Sequence, residues 1–173
     1  STTVNAGNNM VVTVTVNTAT DVVDITATGP DGVWFGYGFG GGNMTNRYSV
    51  ITDGNGGIEE RKLGNHNSGS LLTSSFTSST STVSGGIRTT TVSRPRVGLS
   101  GDYYTFPNTP GSFTIIWARG NGVSLSQHSS SNRGSSMVSL ASTVSVDEFA
   151  LSGVNIYPNL SLIHISEPTR LRR

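Results

Sequence analysis

From Met10 to Val16 valine and threonine alternate, so apolar side chains fall on one side of an extended chain and hydroxyls on the other. Val22 to Thr28 repeats the pattern, and Gly29-Pro30-Asp31-Gly32 closes it with turn-forming residues. Val33 to Phe39 is aromatic and glycine-rich, which predicts a central strand whose glycines let another group approach closely. Gly40 to Asn43 opens a loop. Tyr48 to Thr52 and Ile58 to Lys62 predict two strands around Asp53-Gly54-Asn55-Gly56-Gly57, a hairpin turn. Leu71 to Thr77, Ile87 to Val92, Phe113 to Ala118 and Met137 to Val146 predict four more. Phe113 to Ala118 is apolar and β-branched enough to be buried. No segment carries a helical period and none repeats another. Ser68 to Ser84 is rich in serine and threonine, but apolar residues interrupt it, so it need not be disordered. Short strands at regular spacing with turns between them predict an all-β fold, an antiparallel β-sandwich.

Composition agrees. Only 12% of residues are charged and 34% are hydrophobic, while serine, threonine, asparagine and 22 glycines fill the remainder. That is strand-and-turn material, poor in good helix formers. The length of 173 residues suits one domain with a short appendage. The chain has no cysteine, which excludes disulfides, a thiolate metal site and a covalently attached c-type haem. No apolar run approaches the roughly 20 residues of a membrane span. The chain starts inside strand-like sequence, and we expect a processed or truncated N-terminus.

The end of the chain reads differently. Leu151 to Asn159, Leu-Ser-Gly-Val-Asn-Ile-Tyr-Pro-Asn, resembles the opening of the C-terminal sorting domain of type IX secretion, with Leu160 where a second proline is expected. The resemblance implies export to the bacterial cell surface or beyond. Leu160 to Arg170 looks like the translation of a transposase-end sequencing adapter, as in a metagenomic fragment. The expected organisation is a sandwich over 1–147, a linker and truncated sorting signal over 148–159, and an adapter-derived tail over 160–173. The formal charge of +1 depends on that tail. Removing its three arginines and one glutamate from 11 basic and 10 acidic residues leaves 8 and 9. No basic patch then argues for nucleic acid.

Candidate chemistry is sparse. Gly36-Tyr-Gly38-Phe-Gly-Gly41 satisfies the dinucleotide spacing, but a strand follows where a phosphate-binding helix is required. There is no nucleophile elbow and no phosphate loop. Asp53, Asn55, Glu59 and Glu60 supply too few acids for a calcium loop and read as a hairpin turn. Glu59 and Glu60 are adjacent, so in a strand they face opposite sides. His66 and His128 sit in polar loops, and His164 lies in the suspect tail. Met44 stands in a glycine-rich loop with no apolar neighbour for two residues either side, an odd place for a side chain that normally fills apolar gaps. A loop thioether and a loop imidazole suit the two axial positions of one haem iron.

Trp34-Phe-Gly-Tyr-Gly-Phe-Gly-Gly-Gly-Asn-Met44, the hairpin over Tyr48 to Arg61, and Ile115-Ile-Trp117-Ala-Arg-Gly120 followed by His128 together resemble the DOMON family. The resemblance spans Val22 to Leu140. It implies an immunoglobulin-like β-sandwich and, as in haem-binding members such as the cytochrome domain of cellobiose dehydrogenase, a b-type haem clamped by Met44 and His128. Trp34, Tyr37, Phe39 and Phe106 are candidates for its wall, each equally suited to the core. Arg119 or Arg133 could pair with a haem propionate. Such a domain is not an enzyme by itself; it passes single electrons to or from a redox partner protein. Two alternatives remain: a carbohydrate-binding DOMON module that stacks a polysaccharide on Trp34, Tyr37, Tyr103 and Tyr104, and a structural sandwich of a surface protein. Neither accounts for Met44 and His128.

Overall fold

A computed structural model of the chain describes residues 1–7 and 9–141. The expected linker, sorting signal and adapter tail, together with the end of the last predicted strand, lie outside the described residues. Eleven strands form two antiparallel sheets. They are β1 (Thr2–Gly7), β2 (Met10–Asn17), β3 (Val22–Pro30), β4 (Phe35–Phe39), β5 (Tyr48–Thr52), β6 (Ile58–Lys62), β7 (Ser70–Leu71), β8 (Ser78–Ser84), β9 (Ile87–Pro95), β10 (Gly111–Arg119) and β11 (Arg133–Leu140). The first sheet runs β1-β2-β3-β9-β8 and the second β11-β10-β4-β5-β6-β7. One 3-10 turn, Ser130–Asn132, precedes β11. No helix among the described residues is long and apolar enough to cross a membrane.

Period-two alternation places the core between the sheets. Val12, Val14, Val23, Ile25, Ala27 and Val92 face inward from the first sheet. Phe35, Tyr37, Phe39, Tyr48, Val50, Phe113 and Ile115 meet them from the second, with Phe106 inserted from a loop. The Phe39 and Phe106 rings meet edge to face, with centroids 5.1 Å apart.

Two polar residues are sealed into this seam. Glu60 is 1% exposed and Arg94 fully buried. The Glu60 carboxylate accepts hydrogen bonds from the Tyr48 hydroxyl and from the Ser75 amide and hydroxyl. The Arg94 guanidinium donates to the carbonyls of Tyr104 and Pro95 and lies 4.7 Å above the Tyr48 ring centroid. Burial is the main reason the Tyr48 phenol is raised above its usual value of 10.0; Arg94 opposes the shift and Glu60 adds to it.

Two predicted strands differ, and β8 and β1 have no predicted counterpart. The strand expected over Leu71 to Thr77 is only the two residues of β7; the chain then leaves the second sheet and enters the first as β8. Serine and threonine suit β8 because it is an exposed edge strand held by pairing to β9, from Ser78↔Ser93 to Ser84↔Ile87. The last strand begins at Arg133, four residues earlier than expected, because its outer positions are polar. β1, with only Val4 and Ala6 as apolar positions, was not predicted.

Candidate functional site

Every residue of β4 and β5 is buried, although only one face of each can meet the core. On β4, Phe35, Tyr37 and Phe39 point inward, so the alternate positions Trp34, Gly36 and Gly38 point outward. The outer face is covered by the loop before β5, the loop after β6 and the loop between β10 and β11. Beneath these loops lies a cavity of about 1110 Å³. That is just above the roughly 300–1,000 Å³ usual for small-molecule and cofactor sites.

Its floor is the outer face of the second sheet. Gly36 and Gly38 line it beside Ile51 from β5 and Ile116 and Ala118 from β10. Pairing sets Gly38 against Ile116 and Gly36 against Ile51, so the isoleucines flank the glycines. A Cβ on Gly38 would lie 2.9 Å from the Ile116 Cγ1, and one on Gly36 2.9 Å from the Ile51 Cγ1. The glycines therefore leave a flat strip that any side chain would fill. Leu63 and Leu125 extend the apolar lining from the loops.

The cavity brings together Met44, from the β4–β5 loop, and His128, from the β10–β11 loop. Both are half-buried. His128 Nδ1 lies 3.1 Å from the Ser129 carbonyl oxygen. A carbonyl only accepts, so this bond puts a hydrogen on Nδ1, and in the neutral ring Nε2 then keeps a free lone pair, the form in which imidazole binds a metal. Trp34 supports this loop. Its ring centroid is 6.2 Å from that of His128, its Nε1 donates to Ser126 Oγ at 3.4 Å, and its backbone pairs with Gly120 and Gly122.

The other candidates separate. Tyr37 borders the cavity only through its strand. Its hydroxyl reaches across the core to the carbonyls of Thr28 (2.8 Å) and Val11 (3.1 Å), and burial raises its pKa above the usual tyrosine range. Phe39 and Phe106 are core rings and do not line the cavity, because inward strand parity directs Phe39 to the first sheet. Arg119 shares the inward parity of Ile115 and Trp117 and is also outside the lining; its Nε is buried without a hydrogen-bond partner among the described residues. Arg133, paired with Ala118, is the arginine in the lining. Trp34 and Tyr37 are 4% and 2% exposed, Tyr104 stacks on Phe39, and the Tyr103 hydroxyl donates to the Thr73 carbonyl. These four aromatics do not form an exposed stacking platform. The Asp53 carboxylate accepts from the amides of Asn55 and Gly57, holding the hairpin turn as expected.

Among the described residues no group of three or more histidines, cysteines or acids is placed to hold a metal ion. A thioether and one imidazole in a broad, flat, part-apolar cavity instead fit a metal that brings its own equatorial ligands. His66, from the loop after β6, also lines this cavity.

No protein-family model matches the sequence, and no curated protein matches it. The structure is similar to the crystal structure of the cytochrome b domain of pyranose dehydrogenase from Coprinopsis cinerea. The two share 16% sequence identity with a TM-score of 0.52, over 78% of this chain and 85% of that one. At that identity the likeness is one of fold: the chain has the β-sandwich architecture of a cytochrome b domain.

Proposed function

We propose that the domain binds one b-type haem in the cavity over Gly36 and Gly38, with Met44 and His128 as axial ligands, and that it carries single electrons for a redox partner protein. The observation that carries this reading is the convergence of Met44 and His128, 84 positions apart in sequence, in one cavity with a side-chain-free floor. When bound, the haem supplies a one-electron couple, at a raised potential where one axial ligand is a thioether.

The residues divide the work. His128 donates from Nε2 while the Ser129 carbonyl fixes its ring, and Trp34 and Ser126 hold the loop that carries it. Met44 donates sulfur from the opposite loop. Ile51, Ile116, Leu63 and Leu125 exclude water from the macrocycle. Arg133, exposed and on the cavity lining, offers a charge to a propionate, the role expected of Arg119 or Arg133. With no cysteine in the chain, ligation and apolar burial alone hold the group. We infer an extracellular location, a reading that the resemblance of Leu151 to Asn159 to a sorting signal supports.

The test is reconstitution of the full chain with haemin, followed by absorption spectra before and after dithionite. One equivalent retained through gel filtration, with sharp low-spin α and β bands on reduction, is the expected result. A chain that folds but releases all its haem would overturn the reading and turn attention to a glycan screen.

A further inference from the structure

The cavity holds one donor more than two axial positions need. His66 lines it, and the path of the chain explains where. β5 and β6 pair from Thr52↔Ile58 to Tyr48↔Lys62. The two segments stay tied beyond that ladder. Leu63 N donates to the Arg47 carbonyl at 2.8 Å and Asn46 N to the Leu63 carbonyl at 3.0 Å. Thr45 Oγ1 then donates to Asn65 Oδ1 at 3.4 Å. These bonds tie the segment that carries Met44 to the segment that carries His66, and both residues line the same cavity.

The His66 loop is built to hold its place. Arg61 donates to the carbonyls of Ser68 and Gly69, Gly69 N donates to Asn67 Oδ1 at 2.8 Å, and Gly64 N to the Asn67 carbonyl at 3.2 Å. His66 has φ 59°, in the left-handed region that few non-glycine residues occupy. Its ring has no hydrogen-bond partner among the described residues, so neither ring nitrogen is committed. His128 approaches from the β10–β11 loop, whereas Met44 and His66 belong to two loops laced together.

Resting on the haem reading above, we propose that His66 is a second ligand on the Met44 side, which takes the sixth position of the iron whenever the thioether is withdrawn. The exchange is a ligand substitution: the iron–sulfur bond breaks, an iron–nitrogen bond forms, and no electron is transferred. Imidazole in place of thioether lowers the reduction potential, so one domain can hold two potentials according to which loop donor is bound.

Four proteins test this: the full chain, Met44→Ala, His66→Asn and the double variant, each loaded with haemin. Asparagine tolerates the left-handed backbone and does not bind haem iron. Circular dichroism establishes that each is folded, and absorption and redox titration read the ligation. Met44→Ala is expected to stay low-spin and six-coordinate at a lower potential, and only the double variant to become five-coordinate and high-spin. His66→Asn alone is expected to keep the spectrum of the full chain. A five-coordinate Met44→Ala protein would overturn the role of His66 and leave Met44 and His128 standing. A low-spin, six-coordinate double variant would also overturn it, by showing another donor. Spectra unchanged by Met44→Ala but lost in His66→Asn would make His66 the resident ligand and remove Met44 instead. A full chain that retains no haem would overturn both readings together.

Discussion

At the scale of single residues, the site depends on which way each position of β4 points. Gly36 and Gly38, with Trp34 just before the strand, face the cavity, and Phe35, Tyr37 and Phe39 face the core, one residue out of step along the same stretch. The consequence is testable at Gly38. A leucine there forces Ile116, whose Cγ1 would lie 2.9 Å from the new Cβ, into the space over the floor. Haem affinity should fall at least tenfold, about 1.4 kcal/mol. The melting temperature of the haem-free protein should move by only a few degrees, because the position lies outside the core. Transfer of haem to an acceptor protein measures the first and calorimetry the second. Affinity unchanged from the parent would mean that the floor is not where the group lies. This parity was legible in the sequence, since period two alone sets the three aromatics of Phe35 to Phe39 apart from Trp34. Tyr37 and Phe39, candidates for the wall that suited the core at least as well, follow that parity inward. The apolar lining carried a signal as well. Val50-Ile51 and Ile115-Ile116 are apolar on both faces of their strands, which marks an outer surface that is itself covered.

At the scale of elements, pattern located the strands that present several apolar side chains to the core and missed β1, which presents only Val4 and Ala6. β5 and β6 lie at their predicted limits because a hairpin turn and an apolar alternation agree there. β8 escaped notice because it is an edge strand of serine and threonine, held by backbone bonds that leave no side-chain period. The crossover from β7 to β8 is held by a different device. Glu60 projects inward from β6, while its neighbour Glu59 faces outward and pairs with Arg61 at 2.9 Å. The inward carboxylate fixes Ser75, in the segment between β7 and β8, and the hydroxyl of Tyr48, over whose ring the Arg94 guanidinium lies. Glu60→Ala should therefore cost about 3–5 kcal/mol, as removing one member of a buried charged cluster does. Urea unfolding followed by tryptophan fluorescence reads this cost. A loss below about 1 kcal/mol, the range of exposed ion pairs, would mean that water reaches the cluster in the folded protein. No hydropathy pattern identifies Glu60 as buried: Ile-Glu-Glu-Arg-Lys reads as a polar edge strand, and the hydrogen bonds from Tyr48 and Ser75 that make an inward acid tolerable come from distant positions.

At the scale of the whole sandwich, the two sheets are joined by apolar contact and by phenols that must stay protonated. Tyr37 extends from the second sheet to the Thr28 and Val11 carbonyls of the first, and burial raises its pKa above the ordinary 10.0. Tyr48 is raised in the same direction, chiefly by burial. In the unfolded chain both phenols ionise near pH 10, whereas in the folded protein they do so only at higher pH. Their contribution to stability is thus complete below the unfolded pKa and is lost as pH rises from there toward the folded values. Each such phenol steepens the decline by up to about 1.4 kcal/mol per pH unit. Unfolding free energy, measured in urea from pH 8 to pH 11.5, should hold level to about pH 10 and then fall. Tyr37→Phe should lower stability at pH 8 by about 1–3 kcal/mol, since the Thr28 and Val11 carbonyls lose the one phenolic hydrogen they share, and should make the alkaline decline shallower. An equally steep decline in that variant would show that the Tyr37 phenol ionises within the folded sandwich. Because β4 carries Tyr37 on one face and the glycine floor on the other, loss of the seam removes the platform as well. Haem release from the loaded protein should follow the same alkaline transition as unfolding, whereas release well below pH 10 would place the weak point in the ligand loops instead of the seam.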